Sequence, residues 1–269
     1  MSQVKTTKDG PVFIITINRP EVRNAVDRIT AALLVKAFRA FEADDSAKVA
    51  ILYGNNGNFC AGADLKAVLE RPQDGPQMNA SLENWELQGP MGPSRMRLAK
   101  PVLAAIEGFA VAGGIELAAW CDMRICAEDA TLGVFCRLRG VPLVDGGTVR
   151  LPRLIGRSNA LDLILTGRPV QGAEALRMGL ANRIVPKGTA LAESIKLAKE
   201  MASHPQVCLL NDRKSVYEQL EDRKAMEVEF ELGQKTLASG EFRQAVGAFL
   251  SKKTTNPWGA GKRGAESKL

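Results

Sequence analysis

A chain of 269 residues, 45% apolar and 25% charged, can bury a sizeable core as one large domain or as a domain with a helical extension. Its formal charge of +6 is modest and dispersed, apart from Lys252-Lys253 and Lys262-Arg263, so a small polyanion such as a nucleotide-bearing molecule suits it as a partner at least as well as nucleic acid. Glutamates and glycines break the longest apolar stretch, 101–120, before the roughly 18–20 clean residues of a membrane span, and the first ten residues lack a secretory signal core; neither a span nor export is expected.

The chain opens with an alternating, β-rich "PVFIITIN" (11–18), then "ITAALLVKAFRAFEAD" (29–44) with helical spacing and a buried strand "VAILYG" (49–54). The Gly- and Asn-rich 54–64 reads as a loop, with Asp64 capping a helix "LKAVLER". Residues 72–93, rich in proline and glycine, form a weakly specified insertion expected to be mobile. "PVLAAIEGF" (101–109) reads as a strand, the glycine pair after it opens a helix, and "MRICA" (123–127) is another strand. Alternating strand and helix predicts a mixed α/β core. After about residue 190 four helical patterns follow: 190–203, 207–221, 223–238 and 241–253. This divides the chain into a core (1–190), a helical subdomain (191–253) and an extended tail (254–269).

The tail ends in Ser267, Lys268 and Leu269, a receptor-read peroxisomal address when it stands at a free C-terminus. Pro257, Gly259, Gly261 and Gly264 keep its lead-in out of helix. The competing reading is a coincidental tripeptide in a bacterial or cytoplasmic protein. Five cysteines without metal-ligand spacing suggest reduced thiols in a non-secretory compartment.

Much chemistry is excluded. His204 is the only histidine and lies at a helix junction, so Ser-His-Asp and zinc sites lack their usual base or ligand; no metal is expected. No phosphate loop or dinucleotide fingerprint occurs. Carboxylates, backbone groups or a cysteine remain. Two glycine-containing loops, "FCAGAD" (59–64) and "FAVAGGIE" (109–116), each follow a strand and lead into a helix. Such turns leave N–H groups free at a helix start, and small residues let a ligand oxygen approach. One N–H from each could point at a single carbonyl, an oxyanion hole in which one donor is worth about 3–4 kcal/mol. Glu116, in the first turn of the second helix, is then either a base beside that carbonyl or a residue favoured by the helix dipole.

Five segments, "INRPEVRNAV" (17–26), "NFCAGADLK" (58–66), "AAIEGFAVAGGIELAAWCDMRICAEDATLG" (104–133), "GGTVRLPRLIG" (146–156) and "ALDLILTGRPVQGAEALRMGLANRIVP" (160–186), resemble in order and spacing the enoyl-CoA hydratase/isomerase (crotonase) family. The resemblance spans about residues 10–253. It implies an α/β spiral of ββα turns, a C-terminal helical part that mediates trimerisation into a homotrimer or hexamer, and a coenzyme A thioester as substrate, with no separate cofactor. By motif, the oxyanion donors are the N–H groups of Ala63 and Gly113. Arg23, Ala61 and Lys66 match CoA-lining positions, and Phe249 and Lys252 match a closing segment that reaches the nucleotide. Glu116 matches the first of two hydratase glutamates. Cys136 stands where the second is expected, and a thiol is not an obvious substitute for a water-orienting carboxylate. Asp145 is the nearest acid; it reads either as a catalytic acid/base or as an N-cap before Gly146-Gly147-Thr148. The expected reaction is hydration of a 2-trans-enoyl-CoA to the 3-hydroxyacyl-CoA in fatty-acid oxidation. Alternatives are a 3-enoyl to 2-enoyl isomerase, a hydrolase or decarboxylase, and a homologue that only binds CoA or RNA.

Overall fold

The structure, a computed structural model, describes residues 2–76, 88–218, 222–238 and 240–251. Residues 77–87 of the 72–93 insertion, Lys252 and the tail with Ser267, Lys268 and Leu269 lie outside the described residues.

A six-stranded sheet runs in the order β1 (Val4–Asp9), β2 (Val12–Ile17), β3 (Val49–Gly54), β4 (Val102–Ile106), β6 (Met123–Ala127), β9 (Arg183–Val185). β1 pairs antiparallel with β2 and every later pair is parallel. β1 has no apolar alternation: its four middle residues are exposed. As an edge strand it needs only main-chain pairing on one side, so its polar sequence "VKTTKD" gives no strand signal.

The inner strands alternate their burial between two faces, as the pleat dictates. Ile14, Ile51, Leu103 and Ile125 lie on one face with Leu197 and Ala198 of α7 (Ala190–Ser203). Ile15, Leu52, Ala104 and Ile106 lie on the other, in one core with Leu34, Phe38 and Phe41 of α1 (Arg28–Ala43). Each of the isoleucine, leucine and phenylalanine side chains among them contributes about 1.5–3 kcal/mol.

"PVLAAIEGF" is not a single strand. It breaks at Glu107-Gly108 into β4 and β5 (Phe109–Val111). Gly108 has φ +52°, and a Cβ there would stand 2.2 Å from the Gly57 carbonyl oxygen, so only glycine makes this corner. The Glu107 carboxylate accepts the N–H groups of Gly188 and Ala190 at 3.0 and 2.9 Å, tying the corner to the start of α7. β5 begins a second sheet, β5-β7-β8, with β7 at Thr131–Gly133 and β8 at Val170–Gln171.

Between and after these strands come α2 (Leu65–Glu70), α3 (Gly113–Trp120), α4 (Gly147–Ile155), α5 (Arg157–Thr166) and α6 (Gly172–Met178). Asp64 caps α2 as expected, its carboxylate accepting the Ala67 N–H at 3.1 Å. After α7 follow α8 (Gln206–Glu218), α9 (Asp222–Ala238) and α10 (Glu241–Leu250). His204 stands exposed at the α7–α8 junction. α9 packs on α4, and α10 packs on α2, α9 and the 3-10 turn Phe135–Arg139. Among the described residues no helix is long and apolar enough to cross a membrane.

Candidate active site

The two glycine loops meet. Cys60 bridges to β5, donating its N–H to the Phe109 carbonyl at 2.8 Å and accepting from the Val111 N–H at 3.1 Å. Gly62 and Gly114 are required by this contact: a Cβ on Gly62 would lie 2.9 Å from the Gly113 nitrogen, and one on Gly114 would lie 2.1 Å from the Cys60 carbonyl oxygen. Ala112, between β5 and α3, holds φ +53°, a left-handed conformation that costs a non-glycine residue about 1–3 kcal/mol. It turns the chain so that α3 starts against the first loop. The N–H groups of Ala63 and Gly113 have no acceptor among the described residues, and both residues line one cavity of about 750 Å³.

Glu116 lines the same cavity and is 3% exposed. Its Oε1 accepts the backbone N–H groups of Asp145 and Gly147, each at 2.9 Å; Oε2 has no partner among the described residues. Burial pushes its pKa well above the ordinary value, and the neighbouring carboxyls Asp145 and Glu229 push it further, against the two N–H bonds.

Asp145 also lines the cavity. It is not the helix cap. The N-cap of α4 is Gly146, without a side-chain bond, and the Asp145 Oδ1 instead accepts the Met91 N–H at 2.9 Å and the Ser94 hydroxyl. Burial raises its pKa, opposed by the Ser94 and Met91 hydrogen bonds and by Arg95 and Arg150. Cys136 is buried in the Phe135–Arg139 turn on the cavity wall. Burial, then Glu116, pushes its thiol up to about 12, so it stays protonated and is no general base at neutral pH.

Arg23, Ala61, Lys66 and Phe249 all line this cavity. Arg23 stands over the Phe109 ring at 5.3 Å, and the exposed Lys66 faces Glu70 at 3.9 Å. Lys252 lies outside the described residues.

Four participants were not singled out from the sequence. Glu229, 6% exposed on α9, accepts the Gly146 N–H through Oε1 and the Thr148 N–H through Oε2, each at 2.7 Å. Four successive N–H groups, 145 to 148, are thus taken alternately by Glu116 and Glu229. Arg150 donates to the carbonyls of Asp145 and Ser94 at 2.8 and 2.7 Å, and Arg95 to that of Val144 at 2.9 Å. Arg139 is a further basic lining residue, its guanidinium 4.0 Å from the Phe249 ring centre. Among the described residues no three His, Cys, Asp or Glu side chains are grouped to hold a metal.

Residues 7–260 match the family described as Enoyl-CoA hydratase/isomerase. Enoyl-CoA hydratase EchA19 of Mycobacterium tuberculosis is 33% identical over 256 residues, covering 92% of this chain and 93% of the relative. A probable enoyl-CoA hydratase of Rhizobium meliloti is 35% identical over 246 residues, 91% and 93% of the two chains. Among solved structures, carnitinyl-CoA hydratase from Mycobacterium avium superposes with a TM-score of 0.85 at 29% identity, covering 94% of this chain and 97% of that one. With the match running through both glycine loops, Glu116 and the C-terminal helices, the chain belongs to the enoyl-CoA hydratase/isomerase family and has its crotonase fold.

Proposed function

We propose that the protein hydrates a 2-trans-enoyl-CoA thioester to the 3-hydroxyacyl-CoA in fatty-acid metabolism. The observation that carries this reading is one cavity lined by Ala63 and Gly113, whose backbone N–H groups have no acceptor among the described residues, and by Glu116, with one carboxyl oxygen unclaimed among them. The thioester oxygen would sit between the two N–H groups. Water attacks C3, the C2–C3 π pair moves into the thioester enolate, and the enolate takes a proton at C2, so one water is added overall. The developing negative oxygen is what the paired donors stabilise, at about 3–4 kcal/mol for each donor. Glu116 orients the water and handles its proton, and Asp145 is the candidate second acid. Coenzyme A enters as part of the substrate, without a separate cofactor. Arg23, Lys66 and Arg139 supply positive charge for its phosphates, with Phe249 and Lys252 as further contacts.

A second reading rests on Cys136. With a protonated thiol where a second carboxylate is expected, one carboxyl moving one proton from C2 to C4 would isomerise a 3-enoyl-CoA without adding water. Incubating crotonyl-CoA and a 3-enoyl-CoA separately in heavy-oxygen water distinguishes the two. Label in a 3-hydroxyacyl product supports hydration, whereas isomerised product without label supports the second reading. Tight binding of a short RNA with no binding of crotonyl-CoA would overturn both.

We further infer a homotrimer or hexamer and, through Ser267–Leu269, import into peroxisomes by a receptor. Support for assembly comes from the exposed apolar side chains Val207 and Val216 on α8 and Leu161 and Leu165 on α5.

A further inference from the structure

We propose that the protein has a second small-molecule site, behind the catalytic turn, that takes an organic carboxylate with an apolar body. A cavity of about 490 Å³ lies between the 93–102 segment, the end of α3 and helices α4, α8 and α9. It is lined by Arg95, Arg97, Arg150 and Arg213, and Asp122 is the one acid among the described lining residues. That acid is already engaged: it accepts from the Arg213 guanidinium at 3.0 Å, the Tyr217 hydroxyl at 2.6 Å and the Val102 N–H at 2.7 Å.

Arg95 supplies the independent sign of a ligand. It is 3% exposed and stacks over the Phe230 ring at 5.1 Å, yet its Nη1 has no hydrogen-bond partner among the described residues, while Nη2 holds the Val144 carbonyl. A buried guanidinium N–H left unpaired has lost its water without gaining a partner, and a planar carboxylate is the partner its geometry fits best. Apart from Asn211 and Tyr217, the uncharged part of the wall is apolar, with Leu98, Val102, Trp120, Leu210 and Met226. A bare inorganic anion would leave that surface uncovered, whereas a carboxylate with a hydrocarbon body answers both parts. The catalytic turn is shared by the two sites, because Arg95 and Arg150, which face this cavity, also hold the carbonyls of Val144 and Asp145.

The test is calorimetric titration of the full chain with octanoate and, separately, inorganic phosphate. It reads binding alone, so its outcome is independent of whether the hydratase reading holds. Octanoate should bind at one saturable site and phosphate far more weakly. Arg95→Met should weaken octanoate by roughly tenfold or more, the loss of a charge-assisted hydrogen bond. Leu210→Trp, which fills the cavity from α8 without removing a charge, should weaken it as well. The second variant decides the matter if the first does not fold. No octanoate binding to the wild-type chain, or binding unchanged in the folded variants, overturns the proposal and in the latter case assigns the fatty acid to the active-site cavity. Phosphate binding as tightly as octanoate overturns the ligand class.

Discussion

Glu116 is a carboxyl held where ionisation is penalised, by burial and by two neighbouring acids. Its folded pKa is raised, so the native state holds this proton more tightly than the unfolded chain does. The stability it contributes is fully present below the unfolded value of 4.5 and is lost as pH rises through the folded value. Glu116→Gln keeps an oxygen for the Asp145 and Gly147 N–H groups but cannot ionise. The melting temperature of the variant minus that of the wild type should therefore climb as pH rises above 4.5; a flat difference across thermal melts would contradict the electrostatic account. Turnover of crotonyl-CoA by the same variant should fall by about 10²–10⁴, with affinity within a few-fold. Asp145→Asn should also slow turnover, and an unchanged rate would leave Asp145 with only its Met91 and Ser94 contacts. Glu116 is legible in the sequence because an acid in an apolar run next to a glycine pair calls for a reason. Glu229 is not: in "AMEVEFELGQ" it is one of three glutamates at alternate positions, 227, 229 and 231, and only the packing of α9 on α4 buries it. Arg95 and Arg150 are hidden for the same reason, since their partners are main-chain carbonyls with no signature.

Among the elements, the contact of the two loops with the start of α3 is the least forgiving. Gly114→Ala would drive a Cβ into the Cys60 carbonyl and should cost about 1–3 kcal/mol in urea unfolding while also lowering turnover. Gly247→Ala on α10 meets nothing within 4 Å and should instead stabilise by about 0.5–1 kcal/mol, the helix-propensity gain. Equal effects at the two positions would show that close approach is not what the first glycine provides. Glu229→Ala strips the acceptor from the Gly146 and Thr148 N–H groups and should cost about 1–3 kcal/mol. It should lower kcat more than it changes KM, and Glu229→Gln, which retains an acceptor oxygen, should recover part of the loss. The inner strands and the long helices are legible because burial imposes their periods. β1 is not, since an edge strand can be polar, and the break within "PVLAAIEGF" is missed because its cause, the carbonyl of Gly57, is distant in sequence.

For the whole molecule, the proposed trimer should sediment at three times the 29.0 kDa chain mass; a monomer at micromolar concentration would sink that proposal. Deleting Leu269 should leave assembly and turnover intact and redistribute the protein to the cytosol of a peroxisome-bearing cell, and an unchanged location would make the tripeptide coincidental. Mixed α/β class and family are legible from motifs spread along the chain. How the C-terminal helices meet the catalytic turn is not, because that contact rests on one glutamate and backbone groups more than eighty residues away.

The alternate clasp of Glu116 and Glu229 on residues 145–148 also has a signature in amide hydrogen exchange. Loops and the first turn of a helix, whose N–H groups lack intrahelical acceptors, ordinarily exchange with solvent deuterium through small local openings. Here the amides of Asp145, Gly146, Gly147 and Thr148 can open only when a carboxylate on α3 or on α9 lets go. They should exchange as slowly as amides in the interior strands. In Glu229→Ala the Gly146 and Thr148 amides should lose protection before those of Asp145 and Gly147, so that deuterium uptake reports, residue by residue, which helix holds each side of the turn.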